Sequence, residues 1–148
     1  MFKKLLAGTR PTDLGLHRGR LRRCPPRSQN CVISELDAEP SGRVENPRHI
    51  SPLVFAGSPQ AAMARLMATL ESEPGCEIII RNAEYLHAEA TSHWLGFVDD
   101  LEFRLNAERS QIEMRSASRL GISDLGVNRA RLERIREAFD EMAELDGG

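Results

Sequence analysis

96-GFVDDLEFRLNAERSQIEMRSASR-119 holds two alternating runs separated by a short polar connection. Phe97, Leu101, Phe103 and Leu105 share a parity in the first run, as do Ile112 and Met114 in the second. Alternate strand residues point to the same face, so each set marks the buried side of a strand. The predicted strands are 96–105 and 111–119, joined over a hairpin-length connection and therefore antiparallel. Pairing Leu105 with Ile112 aligns Phe103 with Met114, sets Arg104 opposite Glu113, and sets Glu102 opposite Arg115. A two-residue slip would place Glu102 against Glu113, a like-charge pair that disfavours it by several tenths of a kcal/mol, in order of magnitude.

Outward from this hairpin, residues 77–91 read as a third long strand and residues 50–55 as a short edge strand. Pro52 is tolerated only at an edge, because it cannot donate to a ladder. Ser58-Pro59 gives an N-cap residue followed by proline at the first helical position. Met63, Leu66, Met67 and Leu70 then form one apolar stripe, and Pro74-Gly75 ends the helix. A last helix is predicted over 128–145, with Leu132, Ile135, Phe139 and Met142 inward and Arg129–Glu133 and Arg136–Asp140 on its flanks. The order is β-α-β-β-β-α. The fold class expected is α+β: an open antiparallel sheet of about four strands with two helices on one face.

Residues 1–48 lack sustained periodicity and are rich in turn formers, so an irregular, extended arm is expected to precede a body of residues 49–148. The arm is basic. Residues 1–35 carry eight Lys and Arg against Asp13 and Glu35, whereas the rest has twelve basic and twenty acidic groups. Such an arm either meets an acidic partner or folds back onto its own acidic body. The chain as a whole, at net charge −2, does not read as a nucleic-acid binder. No stretch approaches the roughly 20 apolar residues of a membrane span, and Leu5-Leu6-Ala7 falls short of a signal-peptide core. The default expectation is therefore a cytoplasmic protein. Cys24 and Cys31 bracket a turn-rich CPPRSQNC loop. Reduced thiols, a small disulfide ring, and a metal site completed by His17 or His49 all remain open there, in that order.

Strand phase collects Tyr85, His87, Glu89, Asp100, Glu102, Arg104, Glu113, Arg115 and Arg119 on the sheet face away from the helices. His87 beside carboxylates could serve as a general base or a hard-metal ligand. A solvated face laced with cross-strand ion pairs is the stronger reading, because each acid has a basic neighbour and no nucleophile is identified. Asp99 breaks the pattern. Its parity puts a carboxylate on the helix side, opposite Ser118, where it needs donors from Arg129 or from the start of the last helix. Gly121 and Gly126 suit turns there, and Asp124 or Asn128 suits a helix cap.

CPPRSQNCVIS, GFVDDLEF and RSASRLGISDLGVNRARLERIR together resemble the bacterial and chloroplast family catalogued as domain of unknown function 1499. The resemblance runs from about Arg10 to the last helix. Its matching polar positions are Asp99, Asp100, Glu102, Arg115, Ser116, Ser118, Arg119, Asp124, Asn128 and Arg129. It implies no activity, though many relatives look exported or organellar. No phosphate loop, nucleophile elbow or metal-ligand helix motif is present, and no cofactor is implied. The function expected is a non-enzymatic binding or assembly module, with a polar Arg/Asp site at the strand–helix joint for a protein or a small anionic ligand. The alternative is an enzyme or metal-binding protein using His87, Glu89, Asp100 and Glu102.

Overall fold

The structure, a computed structural model, describes residues 7–35, 47–92, 96–121 and 125–146. In chain order its strands and helices are β1 (Leu16–His17), β2 (Arg20–Leu21), β3 (Cys31–Ile33), β4 (Leu53–Val54), α1 (Pro59–Ser72), β5 (Cys76–Arg81), β6 (Tyr85–Thr91), β7 (Val98–Asn106), β8 (Gln111–Ser118) and α2 (Val127–Leu145). β7 and β8 pair in the expected register. Leu105 faces Ile112, Phe103 faces Met114, Glu102 faces Arg115, and Asp99 faces Ser118. A single 3-10 turn, Ala107–Arg109, joins them.

The α+β class and the antiparallel sheet hold, but the sheet has six strands rather than about four. Two local features account for the difference. Residues 77–91 are not one strand, because the chain reverses at Asn82, whose side-chain oxygen accepts from the backbone N–H groups of Glu84 and Tyr85. β5 therefore folds back on β6 as the outer strand. At the other edge, β8 is covered by two short strands, β3 and β4, at different points along its length. β3 comes from the segment expected to be irregular, as does the two-stranded ribbon β1–β2. Strands of two or three residues carry too little alternation to be read from sequence.

Both helices lie against the face built from Leu86, Ala88, Leu101, Phe103, Ile112 and Met114. Ser58 caps α1 through its hydroxyl, which accepts from the Ala61 N–H at 3.0 Å, and the helix buries Ala62, Met63, Leu66, Thr69 and Leu70. Gly75 then turns the chain at φ +75°, where a Cβ would come within 2.6 Å of the Thr91 carbonyl oxygen. α2 buries Leu132, Ile135 and Phe139. Its flanking arginines act differently from expectation: Arg129 donates to the carbonyls of Pro47 and His49, and Arg136 pairs with Glu133 and donates to the Pro52 and Ser51 carbonyls. Both arginines tether a neighbouring segment through its carbonyls, and Arg136 keeps one ion pair along the helix, to Glu133 rather than Asp140.

The opposite face is not solvated. His87 and Glu102 are 0% exposed, and Asp100 and Arg115 are 1% exposed. The segment from residue 7 to residue 35 lies over them, with β2 against β7 and β8 and a small apolar cluster of Leu21, Ile33 and Tyr85 beside Cys24. Phe97 precedes β7 and is 37% exposed, so the buried parity begins only inside the strand. Among the described residues, no helix is long and apolar enough to cross a membrane.

Candidate functional site

The site grows from two consecutive aspartates at the start of β7. Successive strand side chains diverge, so Asp99 turns towards the helices and Asp100 towards the N-terminal segment. Each is buried, and a buried carboxylate persists as an anion only with close donors. Asp99 Oδ2 accepts from Arg131 Nη1 of α2 at 2.5 Å. Arg131, not Arg129, thus supplies the charge that Asp99 requires. Asp100 is clamped by Arg119, whose Nε reaches Oδ2 at 2.8 Å and whose Nη2 reaches Oδ1 at 2.9 Å. His87 Nε2 also lies 2.8 Å from Asp100 Oδ1, although Glu102 is its partner in the ladder. Burial alone raises the Asp100 carboxyl, but the Arg119 and His87 hydrogen bonds outweigh it and hold the group below its ordinary value.

Arg119 continues to Glu89, donating from Nη2 at 2.5 Å, and Arg10 Nε donates to the same oxygen at 2.6 Å. Glu89 is likewise held low: burial pushes it up, and its two arginines pull it further down. Next along the face, Glu102 Oε2 accepts from the Tyr85 hydroxyl at 2.5 Å and from Gly15 N–H at 2.8 Å. Burial and that contact drive the Tyr85 hydroxyl pKa well up. Arg115 Nη1 sits 3.7 Å from Glu102 Oε1, and Nη2 donates to the Arg23 carbonyl. Burial lowers the Arg115 guanidinium to about 10. Glu35 completes the face, taking Arg104, Arg20 and the Leu21 N–H. Its carboxyl is raised by burial but lowered overall by Arg104 and Leu21.

On the helix side, Asn128 accepts from the Ser116 hydroxyl and donates to the Ser118 hydroxyl at 2.8 Å and to the Asn30 carbonyl. It ties β8, α2 and the N-terminal segment together rather than capping the helix, whose cap is Gly126 in a left-handed conformation. Asp124, the other cap expected, lies outside the described residues. The structure joins Cys24 and Cys31 by a disulfide, with Cα atoms 5.6 Å apart. Cys76 is a free thiol in β5, pushed up to about 11 by burial.

A groove of about 950 Å³ opens where these two faces meet at the end of the sheet. Arg10, Arg119, Arg131 and Arg134 line it, with Glu77, Glu89, Thr91, Val98 and Ile79. Arg134 is paired with Glu73 through Nε and Nη2. None of these four arginines uses all its donors among the described residues. Among the described residues, Arg119 Nη1, Arg131 Nη2, Arg134 Nη1 and both terminal nitrogens of Arg10 have no protein hydrogen bond. One further cluster has ligand-like chemistry: His87, Glu89 and Asp100 each offer an atom within 4.8 Å of the others. Arg119 already contacts both of those carboxylates, so a metal ion there must displace its guanidinium.

A model of the family described as Protein of unknown function (DUF1499) matches residues 20–139. The chain belongs to this family. No curated protein matches the chain. The DUF1499 match spans β2 to the buried turns of α2 and includes both disulfide cysteines, Asp99, Asp100, Arg119, Arg131 and Arg134. Arg10 lies outside it.

The structure brings Asp100, Glu89, His87 and Arg119 into one continuous network, with Glu102 and Arg115 farther along the same face, while Asp99 pairs separately with Arg131 on the helix side. Ser118 and Asn128 bond to each other on the helix side, and Arg129 points instead to the 47–49 turn. Arg131 was missed because the helix was read from its apolar residues alone. Its spacing of four from Ile135 and eight from Phe139 places it on their face, and that periodicity could have found it. Arg10 and Arg134 carried no comparable signal, since ordinary solvated arginines look the same in sequence.

Proposed function

We propose that this chain is a non-enzymatic binding module whose groove at the strand–helix joint holds an anionic ligand. Residues 49–148 supply the binding body and residues 1–48 are its N-terminal arm, of which residues 7–35 lie over the body's far face and add β3 to its sheet. The observation that carries this reading is the convergence of Arg119 and Arg131 on one groove with donors to spare. Buried carboxylates hold both guanidiniums in place, so little side-chain freedom is lost when a ligand arrives. A carboxylate or phosphate meets these remaining donors in the planar geometry that guanidinium favours.

Titration calorimetry with inorganic phosphate and with butyrate tests the proposal. Saturable binding that weakens as salt rises, and weakens again in Arg10→Ala and Arg134→Ala, is the expected result. Absence of saturable binding by phosphate, by butyrate and by short dicarboxylates would overturn it. The 4.8 Å cluster favours a second reading, a divalent metal site at His87, Glu89 and Asp100. Stoichiometric metal retained by the wild-type protein and lost from His87→Ala and Glu89→Ala would establish that alternative; no retained metal would dismiss it.

A further inference from the structure

The four groove arginines form two pairs, and the pairs belong to different layers of the fold. Arg10 and Arg119 share one oxygen of Glu89, on the face covered by the N-terminal segment. Arg131 and Arg134 stand one helical turn apart on α2, held by Asp99 and Glu73. Asp99 and Asp100 point to opposite sides of β7, so the two pairs approach the groove from opposite sides of the sheet's end. Val98 and Ile79 contribute apolar lining to the same groove, and Thr91 an uncharged polar wall. Glu77 also lines it and disfavours acidic groups away from the two arginine poles.

From this arrangement we infer that the ligand is an organic dianion, two carboxylates or phosphates separated by a short uncharged spacer, with one acidic group at each arginine pair. This rests on the anion-binding reading above and narrows it. A single compact anion engages one pole only. Two linked anions engage both, and the second contact forms at the high effective concentration set by the spacer. The two buried arginines are held by different carboxylates, Arg119 by Asp100 and Arg131 by Asp99, so each pole is pre-oriented independently of the other.

The experiment compares butyrate, inorganic phosphate and the α,ω-dicarboxylates succinate, glutarate and adipate on the full chain by calorimetry. At least one dicarboxylate should bind about tenfold or more tighter than butyrate, with a dependence on chain length that reports the pole separation. Arg10→Ala and Arg134→Ala are the variants of choice, because these side chains are 55% and 57% exposed and their loss leaves the buried pairs intact. Each should erase the dicarboxylate advantage while butyrate still binds at the remaining pole. Equal binding of butyrate and every dicarboxylate would overturn the dianion inference and leave the anion site standing. So would a dicarboxylate advantage that survives both substitutions. Failure of phosphate, butyrate and all dicarboxylates to bind would remove both.

Discussion

Arg119 shows how little of this network is interchangeable. Its guanidinium makes two bonds to Asp100 and one to Glu89, and the side chain is almost entirely buried. Replacing it with alanine leaves Asp100 as a buried anion facing only His87, an arrangement in which the remaining charge loses most of its compensation. Arg119→Ala should therefore lower stability by about 3 kcal/mol, read as a shift in urea midpoint at constant slope. Arg119→Lys should recover only part of the loss, since a point charge cannot satisfy both oxygens in parallel. A variant as stable as wild type would mean that Asp100 is relieved by protonation or by solvent. The same residue-level accounting explains the arginines around the joint. Arg115 and Arg119 balance buried acids on the sheet, and Arg129 ties α2 to the carbonyls of Pro47 and His49.

At the scale of elements, the β7–β8 hairpin was legible because two independent local signals agreed: the parity of Leu101, Phe103, Ile112 and Met114, and the charge of Glu102 against Arg115. The reversal at Asn82 was missed because the apolar run on either side masked a single turn residue. β3 and the β1–β2 ribbon were illegible for a different reason. β3 pairs with the distant β8, as Cys31 with Ala117, and the ribbon, although its own pairing is local, is seated by β2 against β7 and β8, and local pattern carries no trace of those contacts. The far face looked solvated because its residues are charged, yet the elements that cover it are the ones local pattern could not reveal. Elements this short need a staple, and the Cys24–Cys31 disulfide joins the covering segment to β3. Closing so small a ring restricts the unfolded chain modestly, so reduction should lower stability by about 2 kcal/mol. Denaturant midpoints of oxidised and dithiothreitol-reduced protein give the number, and amide exchange gives the location. Faster exchange after reduction should appear around Leu21 and Ile33 before it appears in β7. Identical midpoints would show that the covering segment is held by its polar contacts alone.

Over the whole molecule, the covering segment and the sheet are joined through carboxylates whose pKa values are depressed, and this sets an acid limit on the fold. Glu89 holds Arg10, and Glu35 at the end of the segment takes Arg104 of β7 as well as Arg20 and the Leu21 N–H, while Asp100 anchors Arg119 beneath them. All three carboxyls are held below their ordinary values by the arginines and N–H groups that bond them. A carboxyl with a depressed folded value binds protons more readily when unfolded, so stability rises with pH across that interval. The contribution is complete above the unfolded values, at about pH 5 and higher. It declines as pH falls through about 4 towards the folded values. Because Glu35 and Glu89 hold the covering segment, acid should loosen that segment before the sheet–helix core, which is closed by Leu101, Phe103, Ile135 and Phe139. Urea midpoints measured from pH 7 to pH 3 should stay level down to about pH 5 and then fall, with exchange at residues 15–21 rising first. Glu35→Gln should be less stable than wild type at pH 7 and flatter below pH 5, because it removes one of the titrating anchors. A midpoint that does not move between pH 6 and pH 3 would show that these carboxylates are not what binds the segment to the sheet.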